Sequence, residues 1–172
     1  HDQEEALALS TGIAVFSNGR LIQEGTPKEV YEKPREQAVA DFVGTSNFLS
    51  GTITEVVGNR VTLNVREDFL LHASWHPSFE TAPQPGEPVL LCIRPESIQI
   101  SEETNDATEN RIPGQVRSCT YLGSQIQYAV DIGTGQPVKV NLPNPRRLSI
   151  LPADTPVHLI FSPQDAVLLP TE

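Results

Sequence analysis

The residues best suited to ligation or nucleophilic chemistry are four histidines and two cysteines, and their spacing limits what they can do. His72 and His76 are four apart with Glu80 four further on, the interval that sets metal ligands on one helical face. Pro77 and the surrounding two-residue alternation argue against a helix there, so a polar loop is the expected role and no metal is expected. Cys92 and Cys119 form no CxxC and sit in apolar, strand-like runs. They read as buried free thiols in a reducing compartment, with a Cys92–Cys119 disulfide as the alternative. His158 alternates with Val157, Leu159 and Phe161, which turns it away from the apolar side of a strand. Arg94-Pro95-Glu96 ends the run VLLCI, where an ion pair fixing a turn is expected ahead of ligand binding. No G-x-x-x-x-G-K-[ST] run cradles phosphate. The glycine-rich DIGTGQP lacks the lysine and reads as a hairpin turn between two alternating strands.

Two kinds of element must position these groups. Over residues 1–47 the pattern is mixed. Asp2 and Glu5 have capping-box spacing before an Ala/Leu/Glu-rich stretch that predicts a short helix ending at Gly12. IAVFSNGRLIQEG predicts a hairpin turning at Asn18-Gly19, the dipeptide that tolerates positive φ. TPKE supplies an N-cap threonine, a first-turn proline and a third-position glutamate, so a helix should run from Thr26 to about Lys33 and stop at Pro34. REQAVADFVG predicts one more amphipathic turn, with Ala38, Val39, Phe42 and Val43 on one face and its end at Gly44. From about Phe48 the period becomes two, as in RVTLNV and IQYAVDI, and roughly eight to ten short strands with frequent turns predict a barrel or sandwich. VLLCI, apolar on both faces, reads as a central strand, and the polar SEETNDATEN at 101–110 reads as a linker dividing the β region in two.

Composition narrows the function classes. The chain has 172 residues, 38% hydrophobic and 20% charged, which suits one ordinary domain or a small domain with part of another. Twenty-two acidic residues against twelve basic ones give a formal charge of −10, which opposes the counterion release that drives nucleic-acid binding. An OB-type nucleic-acid reader is therefore disfavoured. No run approaches the ~18 apolar residues of a membrane span, and no leader pattern is visible. The sequence starts on His1 and contains no methionine, which reads as a cut within a longer protein.

HDQEEALALSTGIAVFSNGRLIQEGTPKEVYEKP, followed by ADFVGTSNFL, resembles the end of the nucleotide-binding domain of an ABC-importer ATPase from its switch-histidine loop onward. The β-rich remainder, with IRPESIQI and GQVRSCTYLG, is similar to the TOBE regulatory domain of the polyamine, sulfate, ferric-ion and sugar importers. The resemblance implies a mainly β fold: an OB-like TOBE barrel or sandwich over 48–172, preceded by a small α+β remnant of the nucleotide-binding domain over 1–47. It implies that His1 is a switch histidine acting on the γ-phosphate of ATP, a task an imidazole suits because one nitrogen donates while a neighbour orients the other. The phosphate loop, signature and second acidic motif of such ATPases would lie upstream, so this chain alone should not hydrolyse ATP. LSGT at 49–52 imitates the start of the signature but lies on the wrong side of His1.

The resemblance further implies ATP and Mg in the full-length parent, with permease subunits, a second ATPase subunit and a homodimer as partners. It implies a cytoplasmic location, peripheral on the inner face of the plasma membrane. The FVGTSNFL junction leans toward a polyamine-type importer. OB-like barrels bind ligands in grooves or at dimer interfaces, which points to Arg117, Tyr121, Ser124 and Gln125 around the YLGSQ turn as contacts. The alternative is a stand-alone, non-catalytic ligand-sensing module for an oxyanion, a metal or a regulator protein. The apolar Ile13, Val15, Leu21 and Phe42 should need a cover, either the β domain or a second copy.

Overall fold

The computed structural model describes residues 3–66, 69–75, 82–103, 110–143 and 150–171. The fold is mainly β, as the sequence pattern leads one to expect. A small N-terminal lobe comes first. Helix α1 (Gln3–Leu9) precedes the hairpin β1 (Ile13–Ser17) and β2 (Arg20–Gly25), then α2 (Pro27–Glu32) and α3 (Gln37–Val43). Asn18 and Gly19 turn the hairpin with φ of 49° and 76°, the two positive values a type I′ turn needs. Thr26 and Glu29 form the predicted capping box: the Glu29 amide donates to Thr26 Oγ1 at 3.3 Å, and the Thr26 amide to Glu29 Oε2 at 2.9 Å. The Thr26 backbone bond is the main cause that lowers the Glu29 pKa.

The lobe builds its own core from Val15, Val30, Val39 and Val43, with Ile13, Ile22 and Tyr31 against it. One expectation is corrected here. The buried face of α3 is Val39, Ala40 and Val43, and both Ala38 and Phe42 point outward. Seven residues make only about two turns, and the buried face, with Val39 and Val43 in the lobe core and Ala40 against the barrel, is too narrow to include Phe42 as well. Val15 is covered from within the lobe, while Leu21 and Phe42 stay exposed.

Ten strands follow. β3 (Asn47–Val57), β4 (Arg60–Arg66), β5 (Phe69–Ser74) and β6 (Pro88–Ile93) lead through a 3₁₀ turn (Pro95–Ser97) to β7 (Gln99–Ser101). β8 (Asn110–Tyr121), β9 (Gln125–Asp131), β10 (Val138–Pro143) and β11 (Pro156–Phe161) lead through a second 3₁₀ turn (Pro163–Asp165) to β12 (Ala166–Pro170). The second five repeat the first, and the repeats exchange their last strands. β12 closes a barrel of order β12-β5-β4-β3-β6, while β7 joins the sheet β10-β9-β8-β11-β7. β6 lies between β3 and β12, the central place its doubly apolar sequence requires. The stretch 101–110 therefore runs between two strands of the same sheet, β7 and β8, and one core spans both halves of the β region. Asn110, at its end, is a fully buried strand residue, and 104–109 lie outside the described residues.

The duplication extends to single atoms. Asn47 and Asn110 each open the first strand of a repeat, and each carboxamide pairs with both backbone groups of one residue in the other repeat. Asn47 donates to Lys139 O at 2.8 Å and accepts from the Lys139 amide at 2.7 Å. Asn110 does the same with His72, at 2.7 Å in both directions. Four residues on, a glycine lets the neighbouring strand cross closely. A Cβ on Gly51 would lie 2.9 Å from Leu63 Cδ1, and one on Gly114 would lie 2.7 Å from Val130 Cγ1 and 2.9 Å from Asp131 O. Each strand then carries a bulge, between Ile53 and Glu55 in β3 and between Val116 and Ser118 in β8, which adds the twist a small barrel needs.

One continuous core runs through both repeats, from Leu49, Leu63 and Leu91 to Tyr128, Val140 and Leu159. Cys92 is buried, but Cys119 is only half-buried, because it follows the bulge where the β8 side chains change register; both are free thiols. His158 lies on the strand face opposite Val157, Leu159 and Phe161, with its Nδ1 buried and unpartnered. DIGTGQP forms the β9–β10 connection, with Gly133 and Gly135 at positive φ. Among the described residues, no helix is long and apolar enough to cross a membrane.

Candidate functional site

The lobe and the barrel meet at the corner after β6, and the chemistry of the meeting is concentrated in Arg94. This side chain is only 7% exposed. Its donors serve carbonyls and one hydroxyl of the lobe: Nη1 lies 3.1 Å from Ala40 O, 3.2 Å from Gly44 O, 3.3 Å from Thr45 O and 2.6 Å from Ser46 Oγ. Nη2 donates to Tyr31 O at 2.9 Å, and the guanidinium lies over the Tyr31 ring at 4.1 Å from its centroid. The expected ion pair with Glu96 is thus replaced. The Nη1 and Nη2 donors are taken up by these lobe oxygens, and Glu96 is bonded elsewhere. Glu96 instead accepts from the Tyr31 hydroxyl. Burial first, and then that hydrogen bond to a carboxylate, push the Tyr31 pKa up to about 12.

Apolar packing completes the junction. Ala40 of α3, Cys92 of β6 and Leu169 of β12 form a small buried cluster, with Phe48, Leu90 and Val167 beside it. Burial raises the Cys92 pKa, which keeps it a thiol. Gln23 fixes the turn between α2 and α3, donating to Lys33 O at 3.0 Å and accepting from the Arg35 amide at 2.8 Å.

Two clefts flank the Tyr31–Glu96 bond. One, of about 520 Å³, lies under α2 and is lined by Trp75, Cys92, Arg94 and Asp165 among others. The second, of about 880 Å³, lies between the lobe and the second repeat, with Asp41, Gln125, Gln127, Lys139 and Asn141 on its walls. Both carry Tyr31 and Glu96. The corresponding corner of the second repeat has a hollow of about 320 Å³, lined by Gln99, Ile160 and Ser162 and not covered by the lobe.

The sequence-derived contacts fall in different places. Gln125 lines the larger cleft. Tyr121 is 62% exposed, and Ser124 lies in the β8–β9 turn, its amide donating to Leu122 O at 3.1 Å. Arg117 sits at the β8 bulge, four residues from Tyr121 and so roughly 13 Å along the strand; it pairs with Asp131 at 3.0 Å. His1, His76 and Glu80 lie outside the described residues. His72 is on β5, its Nδ1 3.3 Å from Thr62 Oγ1, and no cluster of three or more His, Cys, Asp or Glu gathers among the described residues. Sequence reasoning missed the hub role of Arg94; the signal was a single arginine closing an otherwise apolar strand.

Comparison with known proteins defines the class first. Residues 91–169 match the TOBE domain family. In fold, the chain is similar to the cytoplasmic molybdate-binding protein ModG in its molybdate-bound crystal form, with a TM-score of 0.62 at 13% identity, covering 73% of this chain and 96% of that one. Among sequences, the chain is 32% identical over 98% of its length to the spermidine/putrescine import ATP-binding protein PotA of Nostoc sp., covering 44% of that protein. It is 40% identical over 84% of its length to the protein of the same name from Pseudomonas aeruginosa, covering 39% of it. The chain spans less than half the length of these relatives. It belongs with the C-terminal, TOBE-bearing part of ABC-importer ATP-binding subunits. The glycine-rich run at 131–137 has no lysine and is a connection between strands, so it is not a phosphate loop.

Proposed function

We propose that this chain is the regulatory C-terminal part of an ABC import ATPase whose whole polypeptide couples ATP hydrolysis to polyamine uptake. The observation that carries the reading is the alignment of 98% of the chain with a subunit named for spermidine and putrescine import. In this reading residues 1–47 complete a nucleotide-binding domain, and 48–172 form the TOBE unit that dimerises or regulates it. His1 is the switch histidine. ATP and Mg bind in the parent, which works beside permease subunits and a second ATPase subunit on the cytoplasmic face of the membrane.

The test is transport by the whole gene product, assembled with its permease partners in proteoliposomes. ATP-dependent uptake of labelled spermidine, competed by putrescine, is the expected result. Uptake of a sugar, sulfate or ferric ion in its place would sink the polyamine assignment. A second reading, a non-catalytic sensing module, draws on the roomy cleft between the lobe and the second repeat and on the exposed YLGSQ turn, with Arg117, Tyr121, Ser124 and Gln125 as contacts. It predicts that an oxyanion raises the melting temperature of the chain by itself.

A further inference from the structure

Neither lobe helix that faces the barrel ends in a left-handed C-cap, and in α2 the Lys33 amide and carbonyl are bonded to Glu29 O and Gln23 while the Tyr31 carbonyl is left to another donor. Neither α2 nor α3 has a basic residue in its last turn, and Gly44 after α3 is extended, not left-handed. Carbonyls of their last turns, Tyr31 O and Ala40 O, would otherwise be orphans inside the junction. Instead Tyr31, Ala40, Gly44 and Thr45 all direct carbonyls at one guanidinium, which arrives from the barrel. At the equivalent corner of the second repeat, Ser162 turns inward and accepts from the Gln164 amide at 3.3 Å.

We propose that Arg94 is the coupling residue of the regulatory part: it caps both lobe helices in trans, so the position of the β6 corner sets the order of the lobe. The inference rests on the import-ATPase reading and deepens it, because the lobe is the part that continues into the nucleotide-binding domain. Arg94 is a positioning residue; it reaches the chemistry only through the helix ends. Geometry makes the role specific to arginine. A lysine keeps the charge but offers one compact ammonium and cannot serve carbonyls arriving from α2 and α3 together. The Tyr31–Glu96 bond shares the ring that Arg94 covers and forms part of both clefts, so a change in either cleft bears on the same support.

Hydrogen exchange on the 172-residue chain tests the cap, with Arg94→Ser, Arg94→Lys and, as a control at the equivalent corner, Ser162→Ala. Arg94→Ser should speed exchange over residues 29–46 by roughly tenfold or more while β9 keeps its protection, and Arg94→Lys should restore only part of it. Equal loosening throughout the chain, or none in the lobe, overturns the inference. In the assembled transporter, Arg94→Lys should raise the ATP hydrolysed per solute imported by about fivefold, a ratio that a mere stabilising contact would leave alone. Ser162→Ala should leave it at the wild-type value. An importing wild type with an unchanged ratio in Arg94→Lys overturns this inference alone. A wild-type assembly that neither hydrolyses ATP nor imports overturns the functional reading, and this inference with it.

Discussion

At the corner after its fourth strand, the first β repeat sends an arginine outward into the helical lobe, whereas the second turns a serine back onto its own chain. Almost everything else is shared between them: the buried asparagine, the close-packed glycine, the bulge and the proline-led 3₁₀ turn. The shared residues solve a problem both repeats have, closing a tight curved sheet without orphaned backbone groups. The residues that differ, Arg94 and Glu96 against Ser162 and Gln164, are those that hold the lobe. The two repeats share the scaffold, and attachment rests on the positions where they part.

The largest effect should come from the clamps. Replacing Asn110 or Asn47 by Ala leaves a buried N–H and C=O without partners, and each should cost roughly 3 kcal/mol by urea unfolding. Equivalent roles require the two costs to agree within about 1 kcal/mol, the tolerance of such comparisons. A much cheaper Asn47→Ala would break the symmetry. Next, Gly51→Ala and Gly114→Ala should cost about 1–3 kcal/mol by overpacking. Gly114 should be the worse, since its added Cβ meets the backbone oxygen of Asp131 at 2.9 Å while that on Gly51 is 3.1 Å from Asn64 O.

A titration separates the junction from the core. Tyr31 binds its proton more tightly folded than unfolded, with its pKa raised from 10.0 to about 12. Its contribution is therefore complete below about pH 10 and is lost as pH rises toward 12. Tyr128, buried in the second repeat, is also raised and contributes in the same direction. The urea midpoint of Tyr31→Phe should fall less steeply between pH 10 and 12 than that of the wild type; an unaltered slope would remove Tyr31 from the account. The smallest effect belongs to Arg117→Ala. Its ion pair with Asp131 joins side chains 56% and 39% exposed. Loss should cost below ~1 kcal/mol and shrink further in high salt.

The capping box at Thr26, the Asn18-Gly19 turn and the alternation of RVTLNV and IQYAVDI were legible because each is a local rule that no tertiary contact overrides here. The outward turn of Phe42 was not. A two-turn helix offers several defensible faces, and only the docking of Ala40 against Cys92 and Leu169 selects one. The duplication had a signal that was passed over, Asn-x-x-x-Gly at 47–51 and again at 110–114. The strand exchange had none, since alternation tells which way a side chain faces and not which sheet receives the strand. Arg94 misled for a related reason. Beside a glutamate in sequence, an arginine invites a local ion pair, and the carbonyls that claim it are about fifty or more residues away, beyond any local pattern.

The exchange of last strands also fixes an order of events. β12 is made after every strand of the first repeat, and it is the stave that joins β6 to β5 in the barrel whose first stave, β3, was made long before. Until it emerges, the first repeat is an open sheet with an unpaired β6 edge, the condition most exposed to aggregation. The first repeat is thus closed by a strand of the second, and the lobe held by Arg94 gains a finished support only once β12 has been made.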